Sequence, residues 1–157
     1  MAKAVEKAGR KLIASNRKAR FLYEILDSFE AGIALHGPEV KSLRAGRANL
    51  ADAYAHVRRG EIFLVNAHIS PYEEAGRENK DPRRERKLLL HRSEIGRLSG
   101  EVTERGLTLI PLSLYFKDGR AKVELALARG KKLYDKRETQ KKRTWQRERG
   151  RLLRQKG

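Results

Sequence analysis

The feature that most constrains this chain is a pair of alternating apolar runs joined by a tight turn. "LTLIPLSLYF" (107–116) and "KVELALA" (122–128) flank the tetrapeptide "KDGR". Alternation at a period of two marks a strand with one face against a core. Val123, Leu125 and Leu127 share one side of the second run, and Ile110, Leu112, Leu114 and Phe116 share one side of the first. Asp118–Gly119 between them is a type I′ hairpin signal, because both central residues of that turn need positive φ. This commits the region to antiparallel sheet.

The plan recurs upstream. "AYAHVRRGEIFLVNAHI" predicts a hairpin turning near Arg59–Gly60, and "YEILDSFEAGIALHG" reads as a further strand pair. Two helices interrupt the strands. "GPEVKSLRAG" has Pro38 placed for a first turn, apolar Val40 and Leu43, and Gly46 as a stop. "SEIGRLSGEVTERG" has Ser93 as cap candidate, Ile95, Leu98 and Val102 at helical spacing, and Gly106 at the end. Residues 71–87 read as a polar loop, long enough to suggest function. Short antiparallel strands with inserted helices point to a small barrel whose closure removes exposed sheet edges. The expected fold is mainly β: an antiparallel barrel of the oligonucleotide-binding (OB) type over 14–129, with flanking short helices. A basic arm (1–13) precedes it and a basic C-terminal tail (130–157) follows.

The charge is placed accordingly. The 157 residues carry a formal net charge of +17, which attracts polyanions and above all nucleic acid. Residues 1–20 hold seven Lys/Arg and one acid, residues 129–157 thirteen against three, and residues 21–128 seventeen against sixteen. The body is near neutral and the ends are cationic. There is no cysteine, which excludes disulfides, thiolate metal sites and cysteine nucleophiles. No run approaches the ~20 apolar residues needed to cross a bilayer, and the N-terminus has no signal-peptide core. A cytoplasmic monomer that binds no membrane is expected. His36, His56, His68 and His91 are scattered without metal-ligand spacing. No phosphate-cradling glycine motif and no nucleophile–base pair occurs. No enzyme activity, cofactor or metal is expected.

Four clusters are suited to RNA. In "NRKAR" (16–20) Arg17, Lys18 and Arg20 can neutralise phosphates, while Phe21 and Tyr23 either stack on unpaired bases or fill the barrel. On the first helix Lys41 and Arg44 lie on one face, opposite Val40 and Leu43; such a face is also an ordinary solvated one. In "DPRRERKLLLHR" (81–92), Arg83, Arg84, Arg86 and Lys87 precede an apolar step back to the core. The fourth cluster is the tail, which on composition alone is a polycation.

Long motifs sharpen this. "NRKARxxYxI", "FEAGIAL.G.EVKSLRAGRANLADAY", "HISPYE", "DPRRERKLLLHR" and "GLTLIPLSLYFKDGRAKVELALARGKKLYDKRE" resemble the small protein B family, the SsrA-binding proteins of bacterial trans-translation, over about residues 14–140 in matching order. The resemblance implies an OB barrel that binds the tRNA-like domain of transfer-messenger RNA (tmRNA). With the elongation factor that carries aminoacyl-tRNA, bound through the RNA, it is implied to reach ribosomes stalled without a stop codon. The tail is implied to enter the small subunit's decoding centre and empty mRNA channel. By motif, Asn16, Arg17, Lys18, Arg20 and Tyr23 match the N-terminal RNA-binding segment. Glu30 matches the acidic residue of "EAG", where a carboxylate is expected to orient a cation or accept from a base edge. Leu89 and His91 match the "KLLL" site, with His91 standing where some members carry asparagine. Lys131, Lys132, Asp135, Lys136 and Arg137 match the motif that opens the tail, with Tyr134 where some members carry histidine. Trp145, Leu152 and Leu153 fall where the tail carries an aromatic and an apolar pair.

Like charges at Arg143–Arg147 and Arg147–Arg151 oppose helix formation by about 0.2–0.5 kcal/mol each. The tail is therefore expected to be disordered when free and helical on ribosomal RNA. The competing reading is a general RNA-binding or ribosomal structural protein; a basic membrane-surface protein is a weaker third.

Overall fold

A computed structural model describes residues 10–131, together with 145 and 147. Nine strands dominate it: β1 (Arg10–Ser15), β2 (Tyr23–Ile33), β3 (Ala48–Asn49), β4 (Tyr54–Arg58), β5 (Glu61–Val65), β6 (His68–Ile69), β7 (Arg86–Leu89), β8 (Thr108–Lys117) and β9 (Arg120–Gly130). Three α-helices accompany them: α1 (Ala19–Leu22), α2 (Gly37–Arg44) and α3 (Arg92–Arg105). The large sheet runs β1-β8-β4-β5-β7-β2-β9, and β8 also pairs with β9. Six strands therefore close into a ring in which every pairing is antiparallel. This is the expected barrel. β1 lies on β8 beside that ring, with Arg10 opposite Lys117 and Ser15 opposite Ser113. Strand pairing thus reaches into the segment read as the N-terminal arm.

Both hairpin turns form as the sequence predicts. Asp118 and Gly119 have φ of 51° and 79°, and Arg59 and Gly60 have 51° and 74°. Val123, Leu125 and Leu127 face the main core together with Leu64, Leu88, Leu109 and Leu114.

The predicted single face of β8 does not hold. A bulge between Pro111 and Ser113 inserts Leu112 and reverses the alternation. Leu114 and Phe116 join the main core, while Ile110 and Leu112 turn outward. Outside the barrel they meet Ala19, Ala126 and Ala128, and Tyr23 and Ile25 pack against this second cluster. Buried Ala19 places α1 over this patch, which keeps Ile110 at 1% exposure despite facing away from the main core.

Three further expectations are corrected. "YEILDSFEAGI" is one eleven-residue strand, bulged at Leu26, rather than a pair. Gly32 does not turn the chain: it pairs with Leu89 on one side and Lys122 on the other. The cap of α3 is His91, not Ser93; its backbone N–H donates to the Glu94 carboxylate at 3.2 Å. The loop over 71–87 contains a 3-10 segment, Glu73–Glu78, and its last residues already belong to β7.

Candidate nucleic-acid interface

β7 pairs with β2 and leads directly into α3, and this junction builds an open groove of about 610 Å³. Glu30, Lys87, Leu89 and His91, scattered over sixty residues of sequence, line it together. Arg92 and Lys122 line it too, and sequence reasoning missed both. The alternation of β9, which sends Val123 inward and Lys122 outward, was the available signal for Lys122.

The carboxylates of the groove have partners. Lys87 meets Glu61 at 2.8 Å with both side chains about two-fifths exposed, a pair worth at most about 1 kcal/mol. Glu30 is held more firmly. Its Oε2 accepts from Arg10 Nη2 at 2.8 Å and from the Tyr115 hydroxyl at 2.6 Å, and its Oε1 accepts from Lys117 Nζ at 3.2 Å. The Arg10 guanidinium lies 4.5 Å from the Tyr115 ring centre. Burial pushes the Glu30 carboxyl up, but the Tyr115 and Lys117 hydrogen bonds and the charges of Lys117 and Arg10 bring it below its ordinary value. Burial and the same hydrogen bond raise the Tyr115 phenol, which stays a donor. Of the two roles expected for Glu30, the geometry displays the first: it orients cations, and ties β1 to the barrel in doing so. Arg92 and Lys122 pair with no carboxylate among the described residues, which leaves two ammonium or guanidinium groups facing the groove.

The second cationic surface is the turn at 16–20. Asn16 anchors it: its backbone N–H donates to the Leu112 carbonyl at 2.8 Å and its side chain to the Pro111 carbonyl at 3.1 Å. The Leu112 bulge thus serves as the docking point. With Ala19 buried, Arg17, Lys18 and Arg20 are left exposed. Tyr23 is half-buried against the second apolar cluster, and Phe21 is half-buried as well. Lys131 joins this surface, donating its backbone N–H to the Leu22 carbonyl at 3.0 Å and its ammonium to the Arg20 carbonyl at 2.8 Å.

A third surface is the outer face of α2, where Lys41 and Arg44 are exposed as expected. Lys41 Nζ stands 5.4 Å from the Tyr72 ring centre. The buried face differs from the prediction: it is Glu39, Ser42 and Leu43, with Ser42 donating to the Ser70 carbonyl at 2.6 Å.

Glu39 explains the main correction. Arg86, read as a phosphate ligand, is fully buried and cannot reach RNA. Its Nε donates to Glu39 Oε2 at 2.6 Å, and its other donors reach the carbonyls of Ala67, Arg84 and Pro82. Arg84 is also turned inward, donating to Glu39 Oε1 at 2.6 Å with its side chain 23% exposed. A buried carboxylate needs counter-charge, and Glu39 draws in both arginines. Arg83 stays exposed and donates to Asn66. The basic run 83–87 is therefore half scaffold and half surface.

Trp145 is exposed at 59%. Lys132, Asp135, Lys136, Arg137, Leu152 and Leu153 lie outside the described residues. No described helix is long and apolar enough to cross a membrane.

Comparison with known proteins places the whole chain. The family model described as "SmpB protein" matches residues 13–155. The "SsrA-binding protein" of Gloeothece citriformis (strain PCC 7424) is 61% identical over 144 residues, 91% of this chain and 93% of that one. The "SsrA-binding protein" of Brucella canis is 57% identical over the whole of both chains. A solved structure described as "tmRNA-SmpB: a journey to the center of the bacterial ribosome" superposes with a TM-score of 0.64 at 55% identity, covering 76% of this chain and 85% of that one.

Proposed function

Because the chain belongs to the SmpB protein family, we propose that it binds tmRNA and acts with it in trans-translation on the ribosome. The observation that carries this reading is the convergence of Glu30, Lys87, Leu89 and His91 on one groove that also holds Arg92 and Lys122. Cations along its wall neutralise phosphates, and an exposed leucine offers an apolar seat to an unpaired base or ribose. Arg17, Lys18, Arg20 and Lys131 form a second contact for the same RNA, and Lys41 and Arg44 a third. Glu30 acts indirectly, by fixing Arg10 and Lys117. Arg84 and Arg86 hold the scaffold and touch no RNA. The tail extends the interaction to the small ribosomal subunit: Lys132, Asp135, Lys136 and Arg137 lead it into the vacant mRNA channel, and Trp145, Leu152 and Leu153 anchor it there.

Competition binding at fixed, near-physiological salt tests the proposal. The tRNA-like domain of tmRNA should outcompete bulk RNA by a large factor. Equal competition would leave only nonspecific polyanion binding, the behaviour of a general RNA-binding protein. Truncation after Lys131, which keeps the Leu22–Lys131 bond, should preserve most tmRNA affinity and abolish peptide tagging. Parallel loss of both would refute the division between body and tail.

A further inference from the structure

Leu89 stands 52% exposed on the outer face of β7, at the floor of the groove. A single exposed leucine needs no explanation by itself. What lies beneath it does. Gly32 is Leu89's partner across the β2–β7 ladder, and a methyl added at Gly32 would sit 3.2 Å from Leu89 Cβ, 3.5 Å from its Cδ1 and 3.7 Å from its Cγ. At every other described glycine an added methyl would meet open space. Gly32 is buried one residue before the end of β2, paired with a strand on each side, makes no turn and has no positive φ. Glycine is unfavourable in a strand interior, and there it marks close approach of another group. The approaching group here is the Leu89 side chain.

We infer that Gly32 is a positioning residue for RNA binding: it lets Leu89 lie flat across β2, between Lys87 and Lys122, at the height where an unpaired nucleotide meets the groove. A methyl at position 32 would make Leu89 give by a few tenths of an ångström relative to β2, since the Leu89 Cβ is held by the ladder and cannot swing away. The cations would remain while the apolar seat moved. This rests on the groove being the RNA site, and the test separates the two claims.

The experiment measures binding of the full chain to the tRNA-like domain of tmRNA, with thermal unfolding in parallel, for Gly32→Ala, Leu89→Ala and the double variant. Leu89→Ala should weaken binding by about fivefold or more, as for a contact residue worth over 1 kcal/mol. Gly32→Ala should weaken it by about threefold or more, the low end of coupling between touching residues. In the Leu89→Ala background Gly32→Ala should cost no further affinity, while its effect on melting persists, because the Cβ–Cβ contact is still there. Wild-type binding by Leu89→Ala overturns the groove reading itself. Wild-type binding by folded Gly32→Ala, or the same affinity loss in both backgrounds, overturns the role of Gly32 alone. Should Gly32→Ala not fold, combining it with Leu89→Gly removes the clash and must restore folding; failure of that rescue also refutes the assignment.

Discussion

Glu39→Gln tests whether the Arg84–Glu39–Arg86 knot holds the polar flank of the barrel. The substitution keeps shape and one acceptor oxygen, but places an NH2 group against guanidinium donors. Arg86 would lose its ion-pair partner and keep the carbonyls of Ala67, Arg84 and Pro82, at 2.8, 3.2 and 3.0 Å, with the Asp81 charge still favouring it. Removing one partner of a buried ion pair costs about 3–5 kcal/mol, and the retained oxygen puts this case near 3 kcal/mol. In a chain of this length that lowers Tm by roughly 6–12 °C. The pH dependence follows from the carboxyl. Burial pushes it up, but the Arg84 hydrogen bond, the His36 N–H and Arg86 together bring it below its ordinary 4.5. A group that titrates lower when folded contributes stability above its unfolded pKa, and loses it as pH falls through the folded value. Wild type and Glu39→Gln should therefore differ fully at neutral pH and converge in acid, below the ordinary 4.5. Thermal unfolding followed by circular dichroism across pH reads both effects. A neutral-pH shift under about 2 °C, or a gap that survives acidification, would refute the reasoning.

Other outcomes follow from the same geometry. Tyr115→Phe deletes a 2.6 Å donor to Glu30 and should destabilise by about 1.5 kcal/mol in urea unfolding, the low end for hydrogen bonds to charged groups. Glu30→Gln releases Arg10 and Lys117; the Glu30 carboxyl is held below its ordinary 4.5, so the variant's deficit should be full above that pH and vanish as pH falls through the lower folded value. Arg17→Ala should reduce the slope of log affinity for tmRNA against log salt by about 0.9 without moving Tm. Arg86→Ala should do the reverse, lowering Tm and leaving the slope unchanged; an altered slope would mean that Arg86 reaches phosphate after all.

Much of this was legible because strands report locally. The β8–β9 hairpin with its Asp118–Gly119 turn, the turn at Arg59–Gly60 and the inward row Val123, Leu125, Leu127 follow from alternation and turn chemistry alone. Lys41 and Arg44 were correctly placed on a solvent face because α2 is regular. What escaped depends on contacts between distant segments. The Leu112 bulge breaks period two inside a run that alternates well enough on paper, and the outward residues are covered by Ala19, Tyr23 and Ile25 while Asn16 docks on the bulge carbonyls, all from distant segments. Arg86 looks like its neighbours Arg83 and Lys87 in sequence; Glu39, far upstream, decides that it is scaffold. The "EAG" glycine carried no local signal of its own; Leu89 across the ladder accounts for it. Charge and motif pointed to the proposed RNA surface, but partners had to sort its cations into those facing solvent and those holding the fold.

Closure of the ring also dictates when this chain can fold. β1 awaits Lys117 and β2 awaits Gly130, partners more than a hundred positions downstream. Such non-local pairing places folding in the slow range, about milliseconds to seconds. During synthesis β2 leaves the ribosome with one edge unmatched until β9 follows, so no stable barrel exists on a nascent chain that stops short of the last strands. Truncated products should be protease-sensitive and aggregation-prone, and folding should complete in a single late step once β9 has emerged.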